Sequence, residues 1–261
     1  MDVHSYAKIN WSLRVTGRRA DGFHDLETIF QTISLHDTLT FTAAPELTLT
    51  CDDPSIPTDE SNLVLRAARA LGAPPVAIHL QKRIPAGGGL GGGSSNAAAT
   101  LVTLARMFSL DAPLANIALE LGSDVPFFLL GGTAYATGRG ELLTPLPAMP
   151  PTPLLLLMPE ERVMTGQAFA GLRRFSPPLG IDRYRQLLAT PEVRVNDFEA
   201  SVFAQLPRLR LLKEALREEG AVWSGMTGSG STIVGAFADA RTRDAAAGRI
   251  TGVRAVSCET R

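Results

Sequence analysis

Cysteine is nearly absent: Cys51 and Cys258 are the two in 261 residues, and they lie far apart in the chain. Neither a cysteine-rich zinc site nor a disulfide framework can be built from them, which fits a reducing compartment, and both read as ordinary buried or surface thiols. An excess of either charge is missing too, since 25 Lys and Arg nearly cancel 26 Asp and Glu to leave a formal net charge of −1. Without a global field to draw in a polyanion, neither a nucleic acid nor an acidic membrane surface is an expected partner. Long apolar runs are lacking, because the most apolar one, Leu154 to Met158, is far short of the roughly 20 residues that cross a bilayer. The opening residues MDVHSYAKIN carry no basic stretch leading into an apolar core. The protein is therefore expected to be soluble and cytoplasmic. Aromatic residues make up only 6%, but 45% of the chain is hydrophobic, enough for a sizeable core in one large or two ordinary domains.

Along the chain, Val3, Tyr6, Ile9, Trp11, Leu13 and Val15 alternate as in a strand up to a turn at Gly17–Gly22, and a second β-rich stretch follows from Leu26 to Phe41. Leu47–Thr50 and Val76–Ile84 are further strands, with a helix over Asn62–Leu71 capped by Ser61 between them. A helix is expected from Ala97 to Phe108, capped by Ser94-Ser95-Asn96, and another from Leu114 to Leu121. Phe127–Leu130 and Thr133–Thr137 read as strands about Gly131-Gly132, and the five prolines between Thr144 and Pro153 mark a linker. A domain boundary near Pro150 divides the chain into residues 1–150 and 151–261. The second part reads as strand Leu154–Met158, helices Gly166–Leu172, Tyr184–Leu188 and Leu209–Glu219, strands Ala221–Met226 and Thr232–Phe237, helix Arg241–Arg249 and strand Ala255–Cys258. Helices interleaved with hairpin-like strand pairs indicate an α+β fold rather than a doubly wound sheet.

The 24 glycines are unevenly spread, and the densest cluster spans Gly87–Gly93, where every position but Leu90 is glycine. A polyphosphate needs several backbone N–H donors aimed at one spot. Glycine permits the required φ angles and lets a phosphate approach without meeting a Cβ, and a following helix adds its own unpaired N–H groups and dipole. A flexible linker is the competing reading, but linkers do not sit between an apolar strand and a capped helix. The P-loop is excluded because Gly93 runs directly into Ser94-Ser95 with no lysine. Gly87, Gly89 and Gly92 meet the dinucleotide-binding spacing, yet Asp111 follows a helix instead of ending a second strand. Asp197-Phe198 is followed by Glu199, and a His-Arg-Asp loop is lacking, which removes the protein kinases.

Pro85-Ala86-Gly87-Gly88-Gly89-Leu90-Gly91-Gly92-Gly93-Ser94-Ser95-Asn96-Ala97-Ala98 resembles the P-x3-G-L-G-S/G-S-S-A/N-A loop of the GHMP small-molecule kinases. Ala7-Lys8-Ile9-Asn10 and Met226-Thr227-Gly228-Ser229-Gly230-Ser231 resemble two other blocks of that family, in the same order. Arg19 to Leu26, Gly122 to Phe128 and Asn196-Asp197-Phe198-Glu199 are similar to the branch that phosphorylates a cytidine diphosphate-linked methylerythritol, so the resemblance spans nearly the whole chain. Phe23 stands where that branch frequently has tyrosine, and Ser123 where it frequently has alanine.

The resemblance implies a two-domain fold, with an N-terminal ribosomal-S5-domain-2-like part and a C-terminal ferredoxin-like α/β sandwich. It implies ATP and Mg²⁺ as cofactors, phosphoryl transfer to the 2-hydroxyl of the small-molecule substrate, and a place in non-mevalonate isoprenoid precursor biosynthesis. Residues Pro85 to Ser95 would then hold ATP. Lys8 and Asp124 resemble the family's charged pair, with Asp124 as base toward the hydroxyl and Lys8 stabilising either that carboxylate or the moving phosphoryl group. Phe23 and His24 look like the cytidine-recognition pair, Asn10 a contact to substrate phosphates or hydroxyls, and Ser95 a ligand of Mg²⁺. Read without the resemblance, Asp124 is a turn or cap aspartate, Lys8 a solvated edge lysine and Asp21–His24 a β-turn. Phe169 reads equally as the opposite face of the cytosine slot or as a core phenylalanine. Gly228-Ser229-Gly230 packs against the phosphate loop or substrate, or is a simple strand turn; both readings stand. His4, His24 and His36 have no metal-ligand spacing. A family member acting on homoserine, mevalonate or a sugar is the alternative, and the Asp21–His24 block argues against it. A non-catalytic nucleotide-binding module would have no use for Lys8 and Asp124. Oligomeric state stays open.

Overall fold

The computed structural model describes residues 1–187 and 194–261. In chain order its elements are β1 (Asp2–Arg18), β2 (His24–Ala43), β3 (Thr48–Cys51), α1 (Leu63–Leu71), β4 (Val76–Gln81), α2 (Gly92–Met107), α3 (Leu114–Leu121), α4 (Val125–Leu130), β5 (Thr133–Thr137), β6 (Leu142–Pro145) and β7 (Pro153–Met158). They continue as α5 (Thr165–Ala170), α6 (Ile181–Leu187), α7 (Glu199–Gln205), α8 (Pro207–Glu218), β8 (Trp223–Met226), β9 (Ile233–Ala236), α9 (Ala240–Arg249) and β10 (Arg254–Glu259). Leu188, expected to end the helix that begins near Tyr184, lies outside the described residues. Among those residues no helix is long and apolar enough to cross a membrane.

Two compact units form, and neither is one continuous stretch of chain. The first comprises Met1–Ala7, Leu35–Ala86 and Gly91–Gly131. In it β4 runs antiparallel to Thr38–Ala43 of β2, with Thr38 opposite Gln81, and parallel to β3, with Thr48 opposite Ala77. Leu39 and Phe41 of β2 and Ile78 and Leu80 of β4 share one core with Ala97, Ala98, Leu101 and Leu104 of α2. The cap of α1 is Asn62, not Ser61: its Oδ1 accepts the Val64 N–H at 2.9 Å, and Gly72 closes the helix in the left-handed conformation. Helix α2 starts five residues earlier than expected, at Gly92. Ser94, Ser95 and Asn96 thus lie within its first turns, and Ser95 and Asn96 spend their side chains sideways on β1 rather than on capping.

Phe127–Leu130 belongs to helix α4 and not to a strand. Pro126 in its first turn favours helix initiation, Gly131 at φ 71° ends it, and four consecutive apolar residues carry no period by which strand and helix could be told apart.

Asp37 is fully buried where β4 leaves for the glycine run. It accepts the N–H groups of Arg83 and Ile84 at 2.7 and 2.8 Å and pairs with Lys82 Nζ at 2.5 Å. Asp37→Ala would strand a nearly buried ammonium and two peptide donors, and is expected to cost about 3–5 kcal/mol. Urea unfolding checks this, and a loss below about 1 kcal/mol would contradict it.

The second unit comprises Lys8–Ser34, Gly87–Leu90 and Gly132–Arg261. Here β5 runs antiparallel to Thr28–Gln31 of β2, and β6 lies antiparallel to β5. The start of the proline-rich stretch, Thr144-Pro145, is therefore part of β6, at a sheet edge where a missing N–H is tolerated. Beyond it β10, β7, β9 and β8 form an antiparallel sheet in that order. Counted along the chain this is 4-1-3-2, with helices between its first and second strands and α9 between its third and fourth, the ferredoxin-like arrangement. Leu155 and Leu157 of β7 and Ile233 of β9 pack with Leu209, Leu212 and Leu216 of α8 and with Phe198, Val202 and Phe203 at α7, a helix the sequence pattern does not announce.

Candidate active site

Gly87, Gly89 and Gly91 have φ of 74°, 77° and 71°, left-handed backbone that glycine adopts without a Cβ penalty. Gly91 is the N-cap of α2 and uses no side chain to cap it, which leaves the first helical N–H groups to an outside acceptor. Gly92 is packed tightly: a Cβ there would sit 3.0 Å from Ile84 Cγ2 and 3.2 Å from Lys82 Nζ.

Lys8 is not a solvated edge residue. Residues 7–13 of β1 are buried on both faces, and Lys8 is 3% exposed. Its N–H donates to Leu90 O at 3.0 Å, tying β1 to the glycine loop, and its Nζ donates to Asn10 Oδ1 at 2.8 Å and lies 5.0 Å from the centre of the Phe30 ring. Asn10, 2% exposed, also takes the Gly228 N–H on Oδ1 at 3.0 Å and gives its Nδ2 to Thr28 Oγ1 at 2.7 Å. Asn10 therefore spends its amide inside the protein, holding Lys8, where the sequence suggested a substrate contact. Asp124, in the first unit, is half-buried at the N-cap position of α4 but makes no capping hydrogen bond with its side chain.

His24 and Phe169 lie face to face, with ring centres 4.5 Å apart and planes 18° apart, and Phe198 meets the Phe169 ring edge-on. Burial in this stack, with a smaller contribution from the Arg18 charge, pushes the His24 pKa below the ordinary imidazole value, so the ring is neutral at pH 7 and can both donate and accept. Phe23 is 51% exposed and carries the Arg139 guanidinium 4.6 Å from its ring centre.

Residues 62–132 match the family model described as GHMP kinases N terminal domain, and residues 185–253 match that of GHMP kinases C terminal. The chain is 42% identical over 265 residues to the 4-diphosphocytidyl-2-C-methyl-D-erythritol kinase of Chlorobium phaeobacteroides (strain BS1), covering 95% of this chain and 92% of that one. It is 43% identical to the enzyme of the same name from Solibacter usitatus, over 91% of this chain and 81% of the relative. The chain belongs to the 4-diphosphocytidyl-2-C-methyl-D-erythritol kinases of the GHMP family. A crystal structure of 4-(cytidine 5'-diphospho)-2C-methyl-D-erythritol kinase superposes with a TM-score of 0.87 at 36% identity, covering 100% of this chain and 99% of that one. The Methanococcus jannaschii mevalonate kinase, at 13% identity and a TM-score of 0.74, shares the fold.

In this GHMP kinase the Ser95 hydroxyl, expected from the sequence to meet Mg²⁺, is held by residues of β1. It is 3% exposed, donates to Tyr6 O at 2.6 Å and lies 2.7 Å from Ser5 Oγ, the setting of an anchor that ties the start of α2 to β1. Among the described residues no group of three or more His, Cys, Asp or Glu is placed to hold an ion.

Sequence reasoning missed Phe175 beside the kinase's aromatic cluster, and the buried carboxylate of Glu27. Phe175, 46% exposed, has its ring centre 6.0 Å from that of His24. The signal was there, an aromatic residue in the polar stretch Arg173-Arg174-Phe175-Ser176. Glu27 is buried and accepts from Tyr135 Oη at 2.8 Å and from the Leu179 N–H at 2.7 Å, holding the segment that follows Phe175. A carboxylate in a strand shows nothing of this in sequence.

Proposed function

We propose that this chain transfers the γ-phosphoryl group of ATP to the 2-hydroxyl of 4-diphosphocytidyl-2-C-methyl-D-erythritol, giving the 2-phosphate and ADP, in the cytoplasm. The observation that carries the reading is the buried Lys8 ammonium, held by Asn10 on a strand whose backbone is bonded to the glycine loop at Leu90. A cation buried beside a loop of peptide donors is arranged to stabilise charge on a phosphoryl group.

Pro85 to Ser95 form the ATP loop, binding the phosphates through the peptide N–H groups that follow Pro85 and the N-terminus of α2. Asp124 accepts the proton of the 2-hydroxyl as the oxygen–phosphorus bond forms and the bond to the departing ADP breaks. Lys8 stabilises the oxygens of the moving group, and Asn10 positions Lys8. Magnesium, when it accompanies the nucleotide, shields phosphate oxygens; no residue of the chain is assigned to it. Residues 1–150 supply this machinery, and residues 151–261 supply Phe169. Because His24 and Phe169 already stack on each other, the cytosine lies against the outer faces of the cluster they form with Phe175, with Phe23 of the preceding turn as a further aromatic contact, and the neutral His24 ring bonds its edge.

The test is ADP release by the purified protein with Mg²⁺-ATP and, in parallel, diphosphocytidyl-methylerythritol, homoserine, mevalonate and galactose. Turnover confined to the cytidine substrate is expected. Turnover with another alcohol would overturn the substrate, and ATP binding with no turnover on any of them would overturn the reaction.

A further inference from the structure

Two blocks of the sequence have no part in the reaction as described so far, the glycine turn after β8 and Asn196-Asp197-Phe198-Glu199. In the structure they meet at Thr227, which is fully buried. Thr227 Oγ1 accepts the Asn10 N–H at 3.0 Å and lies 3.2 Å from Gly89 O and 3.3 Å from Asn10 Oδ1. Asn10 Oδ1 already receives Lys8 Nζ and the Gly228 N–H, so the single hydroxyl proton of Thr227 goes to Gly89 O. The two backbones touch as well: a Cβ on Gly89 would fall 2.2 Å from Thr227 O, and one on Gly228 would fall 3.1 Å from Gly89 Cα.

Thr227 is itself fixed from the other side. Asn196 Nδ2 donates to Met226 O and to Gly228 O, both at 2.8 Å, so one amide grips the peptides flanking Thr227. Asn196 Oδ1 is in turn held by the Phe198 N–H, and Glu199, paired with Lys213, accepts the Met226 N–H at 2.8 Å. A continuous run of hydrogen bonds therefore leads from the Asn196 block through Thr227 to Asn10 and Lys8 on one side and to the tip of the glycine loop on the other.

We propose that Thr227 is a positioning residue for phosphoryl transfer, its hydroxyl setting the Lys8 ammonium, through Asn10, in register with the glycine loop at Gly89. The proposal rests on the reading of Lys8 given above. One hydroxyl serves both groups, so its loss shifts the cation and the loop tip relative to each other, a misplacement to which transfer is steeply sensitive.

The test compares Thr227→Val, which keeps the shape and removes the hydroxyl, with Thr227→Ser, which keeps the hydroxyl. Thr227→Val is expected to lower kcat about 10- to 100-fold with KM for the cytidine substrate within about threefold of the parent protein, while Thr227→Ser stays within about threefold in both. Binding of a non-hydrolysable ATP analogue, followed by calorimetry, is expected to weaken about three- to tenfold in the valine variant alone. Parent-like kcat and nucleotide affinity in Thr227→Val, or a serine variant as impaired as the valine one, would overturn the proposal. Should Thr227→Val fail to fold, Thr227→Ala takes its place under the same criteria. If the parent protein phosphorylates none of the alcohols, the proposed reaction fails on that control, and the nucleotide arm still decides whether Thr227 holds the loop.

Discussion

Asp124→Asn is expected to lower kcat by about 10²- to 10⁴-fold, the range a positioned general base contributes. The substitution keeps the size and shape of the side chain and removes the group that takes the proton. Asp124 sits half-buried at the start of α4, and its side chain makes no capping hydrogen bond to that helix. The loss should fall on turnover. Affinity for an ATP analogue is expected to stay within about threefold, since the nucleotide reading relies on peptide N–H groups and not on this side chain. Single-turnover rates with pre-bound Mg²⁺-ATP, beside a melting curve to confirm the fold, make the comparison. A variant as fast as the parent protein would sink the assignment of Asp124 as base.

Gly89→Ala is the second large effect, and Gly87→Ala is its control. Both glycines have a positive φ, 77° and 74°, so an alanine at either pays the cost of a left-handed backbone, about 1–2 kcal/mol. Their surroundings differ. A Cβ on Gly87 meets nothing within 4 Å, whereas one on Gly89 would lie 2.2 Å from the Thr227 carbonyl oxygen, a backbone atom that cannot rotate away. Gly89→Ala is expected to destabilise the protein by about 1–3 kcal/mol more than Gly87→Ala, the usual cost of overpacking, and to abolish measurable turnover by pushing the loop tip off Thr227. Urea unfolding and steady-state rates on the two variants separate backbone strain from collision. Equal losses would show that the close approach of the two loops carries no weight.

Much of this protein is legible in its sequence. The glycine run, its place between a strand and a helix, and the ordered blocks around Lys8, Asp124 and Thr227 are carried by residues adjacent in sequence, and so are the strands of β1, β2, β4 and β7. Positive φ at glycine, caps such as Gly72 and apolar periodicity are properties of a residue and its near neighbours. Even local readings failed where the local signal was degenerate, as at Phe127–Leu130, where an apolar run without period became helix α4.

Folding, by contrast, settles how each polar side chain is used. Lys8 and Asn10 alternate with apolar residues as if facing water, yet β1 is covered on both faces, and the lysine becomes a buried cation. Its partner Asn10 is occupied by Thr28 and Gly228, and Gly228 stands 218 residues away in sequence. Ser95, well placed by sequence to meet an ion, is committed to Ser5 and Tyr6 of β1. His24 and Phe169 likewise come from segments distant in sequence. The physical reason is the same in each case. Backbone conformation is set largely by local sterics and hydrogen bonding, whereas the burial of a polar group and the partner that compensates it come from segments brought together only by folding.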